Sequence, residues 1–137
     1  MDEIVGAMAT RYYKNDKKIR TVITRIIRSI AINGRMVIVG RGGVAFAKDN
    51  PQSLHIKLIA PFQWRVNRIS KAYDKSLEEA SKYVIQIDQE RKFLVDSFMG
   101  YPTDFSIYDL VLNRKTMTED EIVTLILHVM QSRKLIV

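Results

Sequence analysis

Apolar residues recur along this chain with two different periods. In KKIRTVITRIIRSIAINGR, residues 17–35, Ile19, Val22, Ile23, Ile26, Ile27 and Ile30 fall at spacings of three and four. Lys17, Arg20, Thr21, Thr24, Arg25 and Arg28 occupy the other face, so the segment predicts an amphipathic helix. Asn33-Gly34 stops it, because glycine accepts the left-handed conformation of a C-terminal cap. MVIVG, residues 36–40, then runs without polar alternation, the pattern of a strand buried on both faces. LHIKLIA, residues 54–60, predicts a second strand. It is followed by a helix in PFQWRVNRISKAY, with Pro61 near the first turn, where its missing N–H is harmless.

Ser76 and Glu79 form a capping box that opens a long helix over roughly 77–99. Ala80, Val84, Ile87, Leu94 and Phe98 are its inward positions, and Gly100 closes it. YDLVLN, residues 108–113, predicts a third strand. Thr118 and Glu121 cap a last helix with Ile122, Ile126, Val129 and Met130 turned inward. Apolar strands alternating with helices imply an α/β fold with a parallel sheet covered on both faces.

Composition narrows the class. The 137 residues suit one domain, 47% are hydrophobic, and no apolar run approaches a membrane-spanning length. The start lacks the basic-then-apolar order of a signal peptide. With no cysteine there are no disulfides or thiolate metal sites, which fits a cytoplasmic protein. A net charge of +7 attracts phosphates. The basic face of the first helix could follow a nucleic-acid backbone, but it lacks interleaved aromatics and any helix-turn-helix or zinc pattern, so nucleic acid is not the expected partner.

The candidate chemistry is cationic. Gly40, Gly42 and Gly43 sit at the carboxyl end of the MVIVG segment, where open α/β sheets bind ligands, with Arg41 between them. The spacing is neither G-x-x-x-x-G-K-[ST] nor G-x-G-x-x-G, since position 45 is alanine. Arg65 and Arg68 lie at i and i+3, and Arg91 lies in IDQERKF beyond a polar stretch suited to a lid, roughly residues 69–91. Arginines on both sides of a lid suit phosphoryl transfer, where charge on the phosphate oxygens must be neutralised. The alternative is a solvated basic helix face. His55 and His128 have no partner at metal-ligand or triad spacing and are expected to be structural. Trp64 is expected to pack, the aspartates are isolated, and no metal site is expected.

VIVGRGG, LHIKLIAPFQWRVNRI, IDQERKF and YDLVLNRKTMTEDEIV, in that order over roughly residues 19–131, resemble the cytidylate kinase-like family of P-loop nucleoside monophosphate kinase relatives. The resemblance implies a three-layer α/β/α fold and transfer of the ATP γ-phosphoryl group to a CMP-like acceptor with Mg²⁺. It places Arg41 in front of the acceptor nucleotide, with Gly40 and Gly42 beside it, Arg65 and Arg68 at the start of the lid, and Arg91 after it. Gly42 stands where cytidylate kinase proper has an aspartate, and FLVDSFMG holds no further lid arginine. The family's opening strand, P-loop and helix have no counterpart before IRTVITRII. Catalysis by these residues alone is therefore not expected. Loss of the central P-loop strand would leave buried backbone groups to pair within or between copies, so a homo-oligomer is expected. The rivals are a non-catalytic oligomeric interaction protein and a basic nucleic-acid-binding module.

Overall fold

The structure, a computed structural model, describes residues 17–40 and 42–136, with backbone alone for 17–20. Helix α1 spans Lys17–Asn33 and the short α2 spans Gly43–Ala47. Strand β1, Ile56–Ile59, leads into α3, Phe62–Tyr73, and α4, Leu77–Met99. A 3₁₀ turn at Phe105–Ile107 precedes β2, Leu110–Asn113, and α5, Glu119–Ser132, ends the described chain. No helix among the described residues is long and apolar enough to cross a membrane.

The helix signals act where the sequence places them. Ser76 accepts from the Glu79 N–H while the Glu79 carboxylate accepts from the Ser76 N–H, and Thr118 and Glu121 repeat the exchange at α5. Each box satisfies two of the N–H groups that a helix start leaves unpaired. Pro61 is the N-cap of α3 rather than its first residue, and its carbonyl accepts from the Arg65 N–H. The turn between α3 and α4 is made by Asp74 in the left-handed region, its N–H donating to the Ser70 carbonyl. The two helices close on a small core of Val66, Ala80 and Val84, with Ile69 packed against it. Residues 69–91 therefore form the end of one helix, a tight turn and the first part of the next.

The sheet is parallel, as the pattern implies, but among the described residues it has two strands. β1 pairs with β2 in the register Ile56↔Leu110 to Ile59↔Asn113. The expected first strand, MVIVG, belongs to no sheet here. Val37 and Val39 are 91% and 85% exposed. A strand exists only through the backbone groups of a neighbour, and nothing among the described residues pairs with Met36–Val39. The apolar stripe of α1 is likewise half covered: Ile27 is buried, while Val22 and Ile26 face solvent.

The glycine turn is anchored on α4. Gly42, at φ +67°, is the N-cap of α2, and a Cβ there would stand 2.8 Å from the Phe98 ring. That ring meets Phe46 of α2 edge-on at 4.5 Å. Gly40 has a similar φ of +69°, but open space surrounds it. Both glycines carry the left-handed backbone, about 1–2 kcal/mol unfavourable for other residues. Gly42 adds close packing. Urea unfolding should therefore show Gly42→Ala costing clearly more stability than Gly40→Ala. Equal losses would mean the Phe98 contact is unimportant.

The C-terminus of α4 is fastened by Asp96. Its carboxylate accepts from the Thr103 hydroxyl at 2.6 Å, the Thr103 N–H at 2.9 Å and the Lys92 ammonium at 2.9 Å. The Thr103 hydroxyl and Lys92, with the Thr103 N–H after them, hold its pKa down at about 2. A depressed carboxylate stabilises the fold above its ordinary range and loses that contribution as pH falls toward the folded value. An NMR pH titration should place the Asp96 midpoint near 2, and Thr103→Val should raise it. A midpoint in the ordinary aspartate range in the unmodified chain would refute the staple.

Candidate functional site

The site begins where β1 ends. Ala60 and Pro61 turn the chain from β1 into α3, which puts Arg65 one turn into the helix and beside the strand's carboxyl end. Its Nε donates to the Ala60 carbonyl at 3.1 Å, and one terminal nitrogen donates to the Asp88 carboxylate of α4 at 2.7 Å. The side chain is half-buried, at 31% exposure. An arginine gripped at both Nε and one terminal nitrogen has its fork fixed in direction, whatever it contributes to stability.

Arg91 follows on α4, three residues after Asp88 and so on the adjoining surface of the helix. Its position is informative. Ala80, Val84, Ile87, Arg91, Leu94 and Phe98 follow one another at alternating spacings of four and three, the inward stripe of α4. Arg91 is the charged member of that series and is exposed, so the covered stripe is interrupted between Ile87 and Leu94. At one end of the stripe Ala80 and Val84 are buried against α3; at the other, Leu94 and Phe98 receive the glycine turn. Helical rise puts Arg91 about 10 Å from Phe98 along the axis. One helix thus carries both the glycine turn and the arginine cluster.

Lys57, in the middle of β1, completes the group. Its ammonium stands 5.6 Å from the centroid of the Tyr108 ring. Burial, reinforced by Arg91 and Arg65, pulls the Lys57 pKa below the ordinary lysine value, with Asp88 opposing. Burial also raises the Tyr108 phenol. Lys57, Arg65 and Arg91 outnumber the Asp88 carboxylate here, Lys57 and Arg65 partly buried and Arg91 exposed. Such an arrangement is suited to an anion with more than one charge.

The structure does not group all the expected residues together. Arg68 shares a helix with Arg65 but takes a different partner: it is exposed, its guanidinium 4.8 Å from the centroid of the Trp64 ring. Trp64, expected only to pack, is a stacking surface for that cation. Arg41 lies outside the described residues. Gly40 and Gly42 are placed, one in open space and one against Phe98. Sequence reasoning passed over Lys57; the available signal was a lysine inside an otherwise apolar strand.

His55 is tied into the fold, and Asp109, expected to be isolated, is its partner. The His55 ring Nε2 lies 3.0 Å from the Ala47 carbonyl, and its backbone N–H donates to Asp109 at 2.7 Å. Asp109 also accepts from Arg133 at 2.8 Å. Burial works against the Asp109 charge, but the His55 N–H and Arg133 outweigh it and the pKa is lowered. His128 is exposed on α5. No group of three acidic or histidine side chains that could hold a metal occurs among the described residues.

Two comparisons bear on this geometry. Over 121 residues the chain is 30% identical to a uronate isomerase of Corynebacterium glutamicum, covering 88% of this chain. The chain spans 23% of the length of that protein. The sequence model of the cytidylate kinase-like family matches residues 1–116, from the N-terminus through α1, the glycine turn, both strands and the arginine cluster. With that match over most of its length, the chain belongs to the cytidylate kinase-like family.

Proposed function

We propose that this chain is a nucleotide-binding domain of the nucleoside monophosphate kinase type, and that the described residues form its acceptor side. The reading is carried by one observation: Arg65 is held half-buried at the end of β1 by Ala60 and Asp88, with Arg91 one helical turn beyond Asp88. These arginines would clamp the phosphate of a CMP-like acceptor. Arg41, with Gly40 and Gly42, would face the nucleotide, and Arg68 would add charge from the exposed side of α3. A three-layer α/β/α arrangement around the parallel sheet, and a cytoplasmic setting, go with this reading.

In the kinase mechanism ATP supplies the phosphoryl group and Mg²⁺ neutralises the β- and γ-phosphates, while arginines stabilise the transferring group. The 137 residues contain no G-x-x-x-x-G-K-[ST] sequence, so these residues alone would bind Mg·ATP poorly and would not transfer phosphate. Residues 69–91 would act as the lid. The α3–α4 hairpin carries its own core of Val66, Ala80 and Val84, which would hold the two sides of the lid together. The isomerase activity of the Corynebacterium protein is not proposed here, because this chain spans 23% of it.

Calorimetric titration with CMP, and separately with Mg·ATP, tests the reading. Saturable CMP binding is expected, weakened by about tenfold or more in Arg91→Ala, since a charge-assisted contact to phosphate contributes about 1.5–3 kcal/mol. Absence of CMP binding, or CMP affinity indifferent to Arg91, would remove the acceptor site.

A second reading, a non-catalytic protein that works as a homo-oligomer, is favoured by Met36–Val39. This apolar run has no sheet partner among the described residues, and it adjoins the exposed Val22, Ile26 and Ile32 of α1. A second copy could pair with the run edge to edge. Light scattering across micromolar concentrations should then show a dimer or larger species, converted to monomer by Val37→Lys with Val39→Lys. A monodisperse monomer in the unmodified chain would exclude it.

A further inference from the structure

The net charge of +7 is not spread over the chain. Residues 17–48 hold eight lysines and arginines and no acid, while the remaining residues carry 14 cations against 15 acids. The five ion pairs among the described residues all lie outside this segment. The most exposed apolar surface lies in the same segment. Val37, Val39 and Ile32 are the three most exposed large apolar side chains among the described residues, with Met36 next. On α1, Ile27 is buried, whereas Val22 and Ile26, one turn apart, form an exposed row. Arg25, three residues after Val22, borders that row. With Arg28, Ser29 and Asn33 it also lines an open groove along the helix.

Apolar surface and uncompensated positive charge in one segment restrict what can cover it. A second copy would cover the apolar run but set the same cations against each other, and like charges across an interface disfavour that pairing. A nucleic-acid backbone would answer the charge. It offers no apolar phase, however, and residues 17–45 hold no aromatic side chain to stack on bases. An anionic bilayer surface answers both, with acidic headgroups for the cations and the acyl boundary for the valines and isoleucines. We propose that α1 and Met36–Val39 form a docking surface for an anionic lipid bilayer. The segment lies on the membrane and not across it, as no helix among the described residues is long and apolar enough to span one. Val22, Ile26, Val37 and Val39 reach the boundary between headgroups and acyl chains. Arg25, Arg28 and Arg35 stay among the headgroup phosphates, their apolar stems along the same surface. Neither signal suffices alone: a few apolar side chains hold a bilayer weakly, and the basic patch adds an attraction that salt screens. Arg65 and Arg91 take no part in this surface, which stands or falls apart from the acceptor site.

Co-sedimentation of the full chain with vesicles tests the surface, using phosphatidylcholine mixed with phosphatidylserine against phosphatidylcholine alone. The chain should pellet with the anionic vesicles only, and less so as salt rises. Arg25→Gln with Arg28→Gln should weaken binding about thirtyfold, since each basic residue near such a surface contributes roughly fivefold. Val37→Ser with Val39→Ser, which keeps the charge, should weaken it about tenfold. The chain has no cysteine, so an environment-sensitive dye on Val37→Cys reports that position alone, and its emission should shift to the blue on anionic vesicles. Equal binding to both kinds of vesicle, binding indifferent to Val37 and Val39, or a dye that stays in water would overturn the proposal. So would a chain that ignores vesicles, whether light scattering shows a second copy covering the run or polynucleotide binds in its place. Should the serine variant fail to fold, the dye and the arginine variant still decide the question.

Discussion

The Arg65–Asp88 ion pair is the tie on which the site depends. Through the Ala60 carbonyl it is fixed to the end of β1, through its own backbone to α3, and through Asp88 to α4. Both side chains are partly exposed, so the pair itself contributes only about 1 kcal/mol or less to stability. Its effect is geometric. The strand end, the first turn of one helix and the Asp88 position of the next are held in one place by a single guanidinium.

The same helix carries both Arg91 and the side chains that receive the glycine turn, although about 50 residues separate Gly42 from Arg91 in the chain. Phe98 and Leu94 receive Gly42 at one station of α4, and Asp88 receives Arg65 further back. The capping box at Ser76 and the Asp96–Thr103 staple fasten the two ends of this helix. The helix is thus a rigid rule along which the candidate groups are spaced, consistent with the membership of the cytidylate kinase-like family.

The weaker half of the fold is the N-terminal part. α1 and Met36–Val39 have strongly apolar patterns, yet much of that surface is uncovered among the described residues. Burial of such side chains stabilises by about 1.5–3 kcal/mol each when complete. An uncovered run of this length therefore has a strong tendency to find a partner, and backbone pairing gives that tendency a direction. The two-stranded sheet has the same property at its free edges.

Periodicity and end signals alone determined α1, α3, α4 and α5, both capping boxes, the glycine stop at residue 34 and the strands at β1 and β2. These are local: they follow from side chains within a turn or two of one another. The candidate arginines were also legible, as residue types in family-like order. Only the tertiary structure decided which of them meet. Arg65 and Arg68, neighbours on one helix, part company because one finds Asp88 and the other Trp64. Lys57 was passed over in the sequence; the pairing of β1 with β2 set it beside the Tyr108 ring. MVIVG read as a strand because its residues suit one, but a strand needs backbone groups on another segment, and no local pattern can supply them.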